Sequence, residues 1–325
     1  MSPASQPGPA SQPGPAAQPA PARRLSAGPQ LAVAGAAVLF GTTFIVVQGA
    51  LSGAAPIPFV AVRFLVAAAL LWPIARRRPA TPGVWLAGLL AGVPLLAGYL
   101  LQTIGLRYVT TSVSAFITYL LVVLVPILSA IVWRRLPSPA VWVGAVLAAI
   151  GLFLLTGARL ALGTGEVLTL GCALGFALNI VVLGKVAPHH DVFRLTAVQM
   201  LVVGAGALVP GFFTGGYHLS PSSLVAAVYT AVVASALAFL LQTWGQRHLS
   251  PSRTSLLLMV EPVVAAIVGA ATGAPLGLTA AAGGALILLG IAVSERGPGW
   301  QPGHWPRRRL AGLDRAGEGR GGGEA

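Results

Sequence analysis

The feature that most constrains this chain is a run of ten apolar stretches, at residues 30–51, 57–75, 83–104, 110–133, 138–157, 162–184, 192–214, 221–245, 252–273 and 276–293, with only short polar segments between them. A bilayer-spanning helix needs about 20 mainly apolar residues. In hydrocarbon each such segment must satisfy its own backbone amides, which a helix does. The expected fold is therefore an all-α membrane protein of ten transmembrane helices. Charged residues make up only 8% of the chain and the mean hydropathy is +0.83, whereas soluble domains carry roughly 25% charge. Pro56, Pro82, Pro137, Pro221, Pro251 and Pro275 fall at or just before starts, where a missing N–H costs no helical bond. Trp72, Trp85, Trp133, Trp142 and Trp244 lie near ends, where indole favours the interface.

A formal charge of +13 invites a nucleic-acid partner, but the basic residues sit in small groups between apolar runs. That placement is how topology is fixed by keeping Lys and Arg in the cytoplasm. With the N-terminus inside, all of the 20 basic residues except Arg107, Arg159 and the intramembrane Arg63 are cytoplasmic. Both termini are then cytoplasmic, the localisation is the cell inner membrane, and the bilayer rather than nucleic acid is the partner. Residues 1–28 and 295–325 read as disordered tails, the first too rich in Pro and Gly to pack a core. The single cysteine, Cys172, excludes an internal disulfide framework.

An internal repeat organises the rest. Leu101-Gln102-Thr103-Ile104-Gly105-Leu106-Arg107-Tyr108 is matched by Leu241-Gln242-Thr243-Trp244-Gly245-Gln246-Arg247-His248, each closing one stretch and leading through Ser or Thr into the next. Five spans per copy is an odd number, so the copies, 29–158 and 159–294, are inserted in opposite orientation. Inverted repeats are characteristic of secondary transporters, whose halves exchange roles around a central site.

Several segments stand in order across the two copies: Leu39-Phe40-Gly41-Thr42-Thr43-Phe44, Pro58-Phe59-Val60-Ala61-Val62-Arg63-Phe64, and Gly105-Leu106-Arg107-Tyr108-Val109-Thr110-Thr111-Ser112 with Ala115-Phe116 and Pro126 in the first, then Gly165-Glu166, Glu261-Pro262, Gly283-Gly284 and Gly290 in the second. In their order and spacing the chain resembles the ten-span EamA-type branch of the drug/metabolite transporter superfamily. Similar proteins commonly have a Gly-Glu pair after spans four and nine, where this chain has Arg134-Arg135-Leu136-Pro137 and Gly273-Ala274-Pro275. The resemblance implies a carrier of small metabolites, often an exporter of amino acids or related compounds.

Two ionisable groups fall at mid-membrane depth, Glu261 in the ninth stretch and Arg63 in the second. Such groups cost about 2.5–3.5 kcal/mol on insertion scales and are functional candidates by default. Glu261 is expected to bind a cationic substrate group or a coupling proton, and Arg63 to bind a carboxylate or to pair with Glu261. A static pair that fixes packing is the competing reading. Gln102, Gln199, Asn179 and Tyr119 are further candidates for a cavity lining, with hydrogen bonding between helices as the alternative for the amides. Glu166 reads as a helix-start acid, and Gly88/Gly92 and Gly171/Gly175 as close-packing pairs.

No enzyme, cofactor or metal is expected: the five histidines are in loops or tails without a metal-binding helix motif, and no glycine-rich stretch ends in Lys-Ser/Thr. The expected function is a secondary carrier exporting a small amino-acid-like metabolite by alternating access. Proton-coupled uptake and a non-transporting scaffold or sensor are the alternatives, and a homodimer is compatible with the sequence.

Overall fold

The computed structural model describes residues 27–134, 136–157, 163–273 and 277–296. Most of both tails, with Arg135 and Arg159, lies outside them. Among the described residues there are thirteen α-helices and no strand. In the first half these are α1 (Gly28–Ala50), α2 (Pro56–Ala75), α3 (Val84–Gly105), α4 (Thr111–Tyr119), α5 (Leu121–Trp133) and α6 (Pro139–Thr156). The second half holds α7 (Thr164–Val186), α8 (Val192–Phe213), α9 (Pro221–Thr230), α10 (Ala238–Gln246), α11 (Pro251–Leu258), α12 (Val260–Ala271) and α13 (Leu278–Glu295), with a π-helical turn, Ala231–Leu237, joining α9 to α10. Among the described residues nine helical segments are long and apolar enough to cross a membrane. Helix α1, of 23 residues, packs in the same bundle.

Local sequence explains the starts. Pro56, Pro139, Pro221 and Pro251 occupy first-turn positions. The side chains of Thr110, Ser220, Ser250 and Asp191 accept from backbone N–H groups three residues on, as N-caps do. Glu166 accepts from the Gly163 N–H at 3.1 Å, the structural role expected of it. The facing of α3 is decided by size rather than polarity. On α3, Leu86, Leu89, Leu90 and Val93 are exposed while Ala87, Gly88, Ala91 and Gly92 are buried. Large apolar side chains thus meet lipid, and small ones let backbones approach.

Packing follows the repeat. Helix α1 lies on α10 and α12 as α7 lies on α3 and α5, while α2 packs on α8 and α6 on α13. The α6–α13 pair is a glycine contact: a Cβ on Gly151 would stand 2.6 Å from the Gly283 carbonyl oxygen, and one on Gly144 2.5 Å from that of Gly290. The same close approach holds at Gly88 against Val198 and at Gly175 against the Pro94 carbonyl.

Two helices depart from the continuous spans expected. The stretch at 110–133 breaks at Leu120 (φ −58°, ψ −10°) and that at 252–273 breaks at Met259 (φ −65°, ψ −7°). At the second break the Met259 N–H bonds back only three residues, to Leu256 at 3.0 Å, and Pro262 has no N–H to offer the Leu258 carbonyl.

The two ends of the bundle differ. At the first face, which carries the loops around 76–83, 187–191 and 247–250, contacts cross between halves. Arg194 donates to the carbonyls of Arg78 at 2.8 Å and Arg76 at 3.4 Å, and Thr81 Oγ1 meets His190 Nδ1 at 2.6 Å. Gln246 donates to the Ile180 carbonyl at 2.8 Å, and Gly184 lies against the Pro251 ring. Behind them an apolar plug gathers Val33, Leu121, Val125, Ile180 and Leu257. Among the described residues α4 has no extensive packing on α1 or α12 at the opposite face, although its counterpart α11 packs on both α7 and α5.

Candidate functional site

The missing packing at the second face leaves a cavity of about 570 Å³. It reaches from Leu51, Pro56, Leu106 and Thr156 at that face to Asn179, Gln242 and Leu258 in the interior, above the plug. Arg63, Glu261, Gln102, Tyr119 and Asn179 all line it. Five of the six residues singled out from sequence are therefore brought together. Gln199 is not: it is fully buried behind the wall, accepting from Asn179 Nδ2 at 3.3 Å and donating to the Leu195 carbonyl. Its role here is the hydrogen bonding between helices that was the alternative reading.

Glu261 enters the cavity because of the break at Met259. The break places the start of a half-helix, α12, at mid-span, and Glu261 lies in its first turn. The N-terminal end of a helix carries partial positive charge, which favours an acid there, and discontinuous helices of this kind form binding sites in secondary transporters. Gly41 makes the placement feasible, since a Cβ there would stand 2.7 Å from the Glu261 carbonyl oxygen. Tyr119, at the end of α4, is the polar side chain next to the Glu261 carboxyl, and Arg63 acts on that carboxyl through space.

Arg63 is held otherwise than expected. It is only 6% exposed and makes no direct ion pair with Glu261 among the described residues; its Nε donates instead to Ser235 Oγ at 2.7 Å. Its guanidinium lies 5.2 Å from the Phe64 ring centroid and 5.8 Å from that of Tyr99, within cation–π range. Around it the aromatic rings form an edge-to-face chain: Phe40–Phe239 at 5.2 Å, Phe239–Phe64 at 6.2 Å, Phe64–Tyr99 at 4.8 Å and Tyr99–Phe176 at 5.2 Å. Sequence reasoning missed this chain and Ser235. The signal was in the repeat: Gly35 and Phe40 recur as Gly171 and Phe176, and Tyr99 recurs as Phe239 just before the two Leu-Leu-Gln-Thr runs. The same matching aligns Ala61-Val62-Arg63 with Ala197-Val198-Gln199, and Leu121 with Glu261. Each of the two charges thus has an uncharged counterpart in the other half.

In the cavity wall, Gln102 donates to Thr118 Oγ1 at 3.3 Å, and Thr118 meets Cys172 Sγ at 3.7 Å. Among the described residues no group of three His, Cys, Asp or Glu is arranged to hold a metal.

Residues 29–157 and again 163–295 match the EamA-like transporter family. The chain belongs to that family, within the drug/metabolite transporter superfamily. Two relatives from Archaeoglobus fulgidus, each named an uncharacterized transporter, are similar. One is 30% identical over 244 residues, covering 75% of this chain and 77% of the relative. The other is 27% identical over 269 residues, covering 82% and 96%. A solved crystal structure superposes with a TM-score of 0.71 at 19% identity, over 82% of this chain and 96% of that one, and shows the same fold. This EamA-family protein is a multi-pass membrane transporter.

Proposed function

We propose that this transporter is a secondary carrier of the cell inner membrane, crossing it ten times with both termini in the cytoplasm, and that it exports a small amino-acid-like metabolite by alternating access. The observation that carries this reading is a cavity that holds Arg63 and Glu261, reaches one face and is sealed at the other by Gln246, Ile180, Gly184 and Pro251. Exchanging the packing of the two halves would bring α4 onto α1 and α12 and part α11 from α7 and α5. The plug would open and the present mouth would close. With the Arg-rich loops in the cytoplasm, the present mouth faces outward. Arg63 and Glu261 offer a cationic and an anionic pole to one ligand, and the rings of Phe40, Tyr99, Phe176 and Phe239 that line the same cavity suit an apolar body.

The test compares metabolites released by cells overproducing the wild type with those released by cells producing Glu261→Gln at matched membrane levels. A compound released by the wild type alone is expected, and its identity gives the substrate. Equal release by both would remove Glu261 from the site, and accumulation inside the wild-type cells would reverse the direction to uptake.

A further inference from the structure

Ser235 does not line the cavity, yet it holds the residue that does. It lies on the π-helical turn Ala231–Leu237, and such turns inside α-helices are frequent at functional sites. Its counterpart in the first half is Leu95, on the continuous helix α3, and the counterpart of Arg63 is Gln199. The charge therefore occurs in the first copy of the repeat only, and its hydroxyl partner and the π turn in the second only. The Ser235 hydroxyl is fully buried, and its 2.7 Å bond to Arg63 Nε joins residues far apart in sequence.

The chemistry of guanidinium gives this bond a consequence. Arginine presents carboxylates with two-point contacts through its planar fork of donors, either along the edge that includes Nε or at the end formed by the two Nη groups. A serine on Nε takes the first edge and leaves the end. The Phe64 and Tyr99 rings flank the guanidinium at 5.2 Å and 5.8 Å. We propose that Ser235 is a positioning residue that aims the Nη end of Arg63 into the cavity, and so sets the carrier's preference for substrates bearing a carboxylate over amines that lack one. This inference rests on the carrier reading above, in which Arg63 is the anion-binding pole.

The experiment uses the full chain in lipid nanodiscs and measures binding of leucine and phenylalanine, and of their decarboxylated counterparts 3-methylbutylamine and 2-phenylethylamine. The wild type should bind the amino acids more tightly than the amines. Ser235→Ala should weaken the amino acids by about tenfold, as expected for losing a hydrogen bond to a charged group, with the amines unchanged. Ser235→Thr should restore the preference, and Ser235→Asp, which hands Arg63 a carboxylate of its own, should erase it. If Ser235→Ala does not fold, Ser235→Cys, nearly isosteric but a weak acceptor, reads the same ratio. A wild-type ratio in Ser235→Ala or Ser235→Cys, alongside loss of amine binding in Glu261→Gln, would overturn the role of Ser235 and leave the carrier reading standing. Wild-type protein that binds none of the four would overturn both.

Discussion

The segments α4–α5 and α11–α12 hold equivalent places in the two halves and break at equivalent depth, yet they do different things. At the first break the second half-helix begins with Leu121, a buried residue that belongs to the plug and also touches the cavity; at the other, the residue aligned with it is Glu261, second in α12, which lines the same cavity. Helix α11 is packed against α7 and α5, whereas among the described residues α4 has no comparable packing on the matching neighbours, α1 and α12. One backbone device thus presents an apolar side chain in one copy and a carboxyl in the other. The repeat supplies the hinge-like geometry, and departures from the repeat supply the chemistry.

The sharpest way to break this comparison is to move the charge. A double variant, Glu261→Leu with Leu121→Glu, keeps the composition and moves the acid to the other half-helix, where the apolar plug meets the cavity. Transport in reconstituted vesicles should fall about a hundredfold, equivalent to roughly 2.7 kcal/mol of barrier. Retained flux would mean that the two half-helix starts are interchangeable and that the asymmetry of the cavity is incidental.

A smaller effect should separate the two faces. Gly184 ends α7 at the sealed face, where a Cβ would stand 2.5 Å from the Pro251 ring, while a Cβ on Gly49, near the end of α1 at the open face, would meet nothing within 4 Å. Gly184→Val should destabilise the resting conformation by about 1–3 kcal/mol, the usual range for overpacking, and should expose a cavity cysteine at Thr43→Cys to impermeant thiol reagents added from the sealed side. Gly49→Val should shift resting stability by no more than about 0.5 kcal/mol. Equal melting temperatures for the two variants would show that the faces are not packed differently.

The smallest effect concerns the rim of the sealed face. Burial, and then the neighbouring His189, hold the His190 imidazole below its ordinary value, and its ring nitrogen is tied to Thr81. The unfolded chain then binds the proton more readily than the folded one, so the contribution is complete above the ordinary imidazole range and is lost as pH falls through that range toward the folded-state value. The wild-type melting temperature should drop between pH 8 and pH 5 by about 1–2 °C more than that of His190→Gln, a modest shift for a half-exposed group. An identical slope in both would remove the histidine from the seal.

Much of this architecture was legible beforehand. Prolines and Ser/Thr caps marked the starts, glycine pairs such as Gly88 and Gly92 marked close helix contacts, and the cost of burying charge singled out Glu261 and Arg63. Five of the six candidate residues line one cavity. Gln199 does not, because an amide at mid-span satisfies itself equally well against a neighbouring helix or a cavity, and only the packing of α8 against Asn179 decided which. The break at Met259 escaped because Pro262 signals a lost bond but not how the chain turns ahead of it.

What the sequence by itself determined is the number and length of apolar stretches, their termini, the repeat and the two charges it fails to duplicate. The tertiary structure alone decided which face is open, which partner Arg63 takes and which helices break. The reason lies in the solvent: lipid and protein interior are both apolar, so an intramembrane helix carries little polar pattern to say which side faces inward, and that choice is made by shape complementarity between residues distant in the chain.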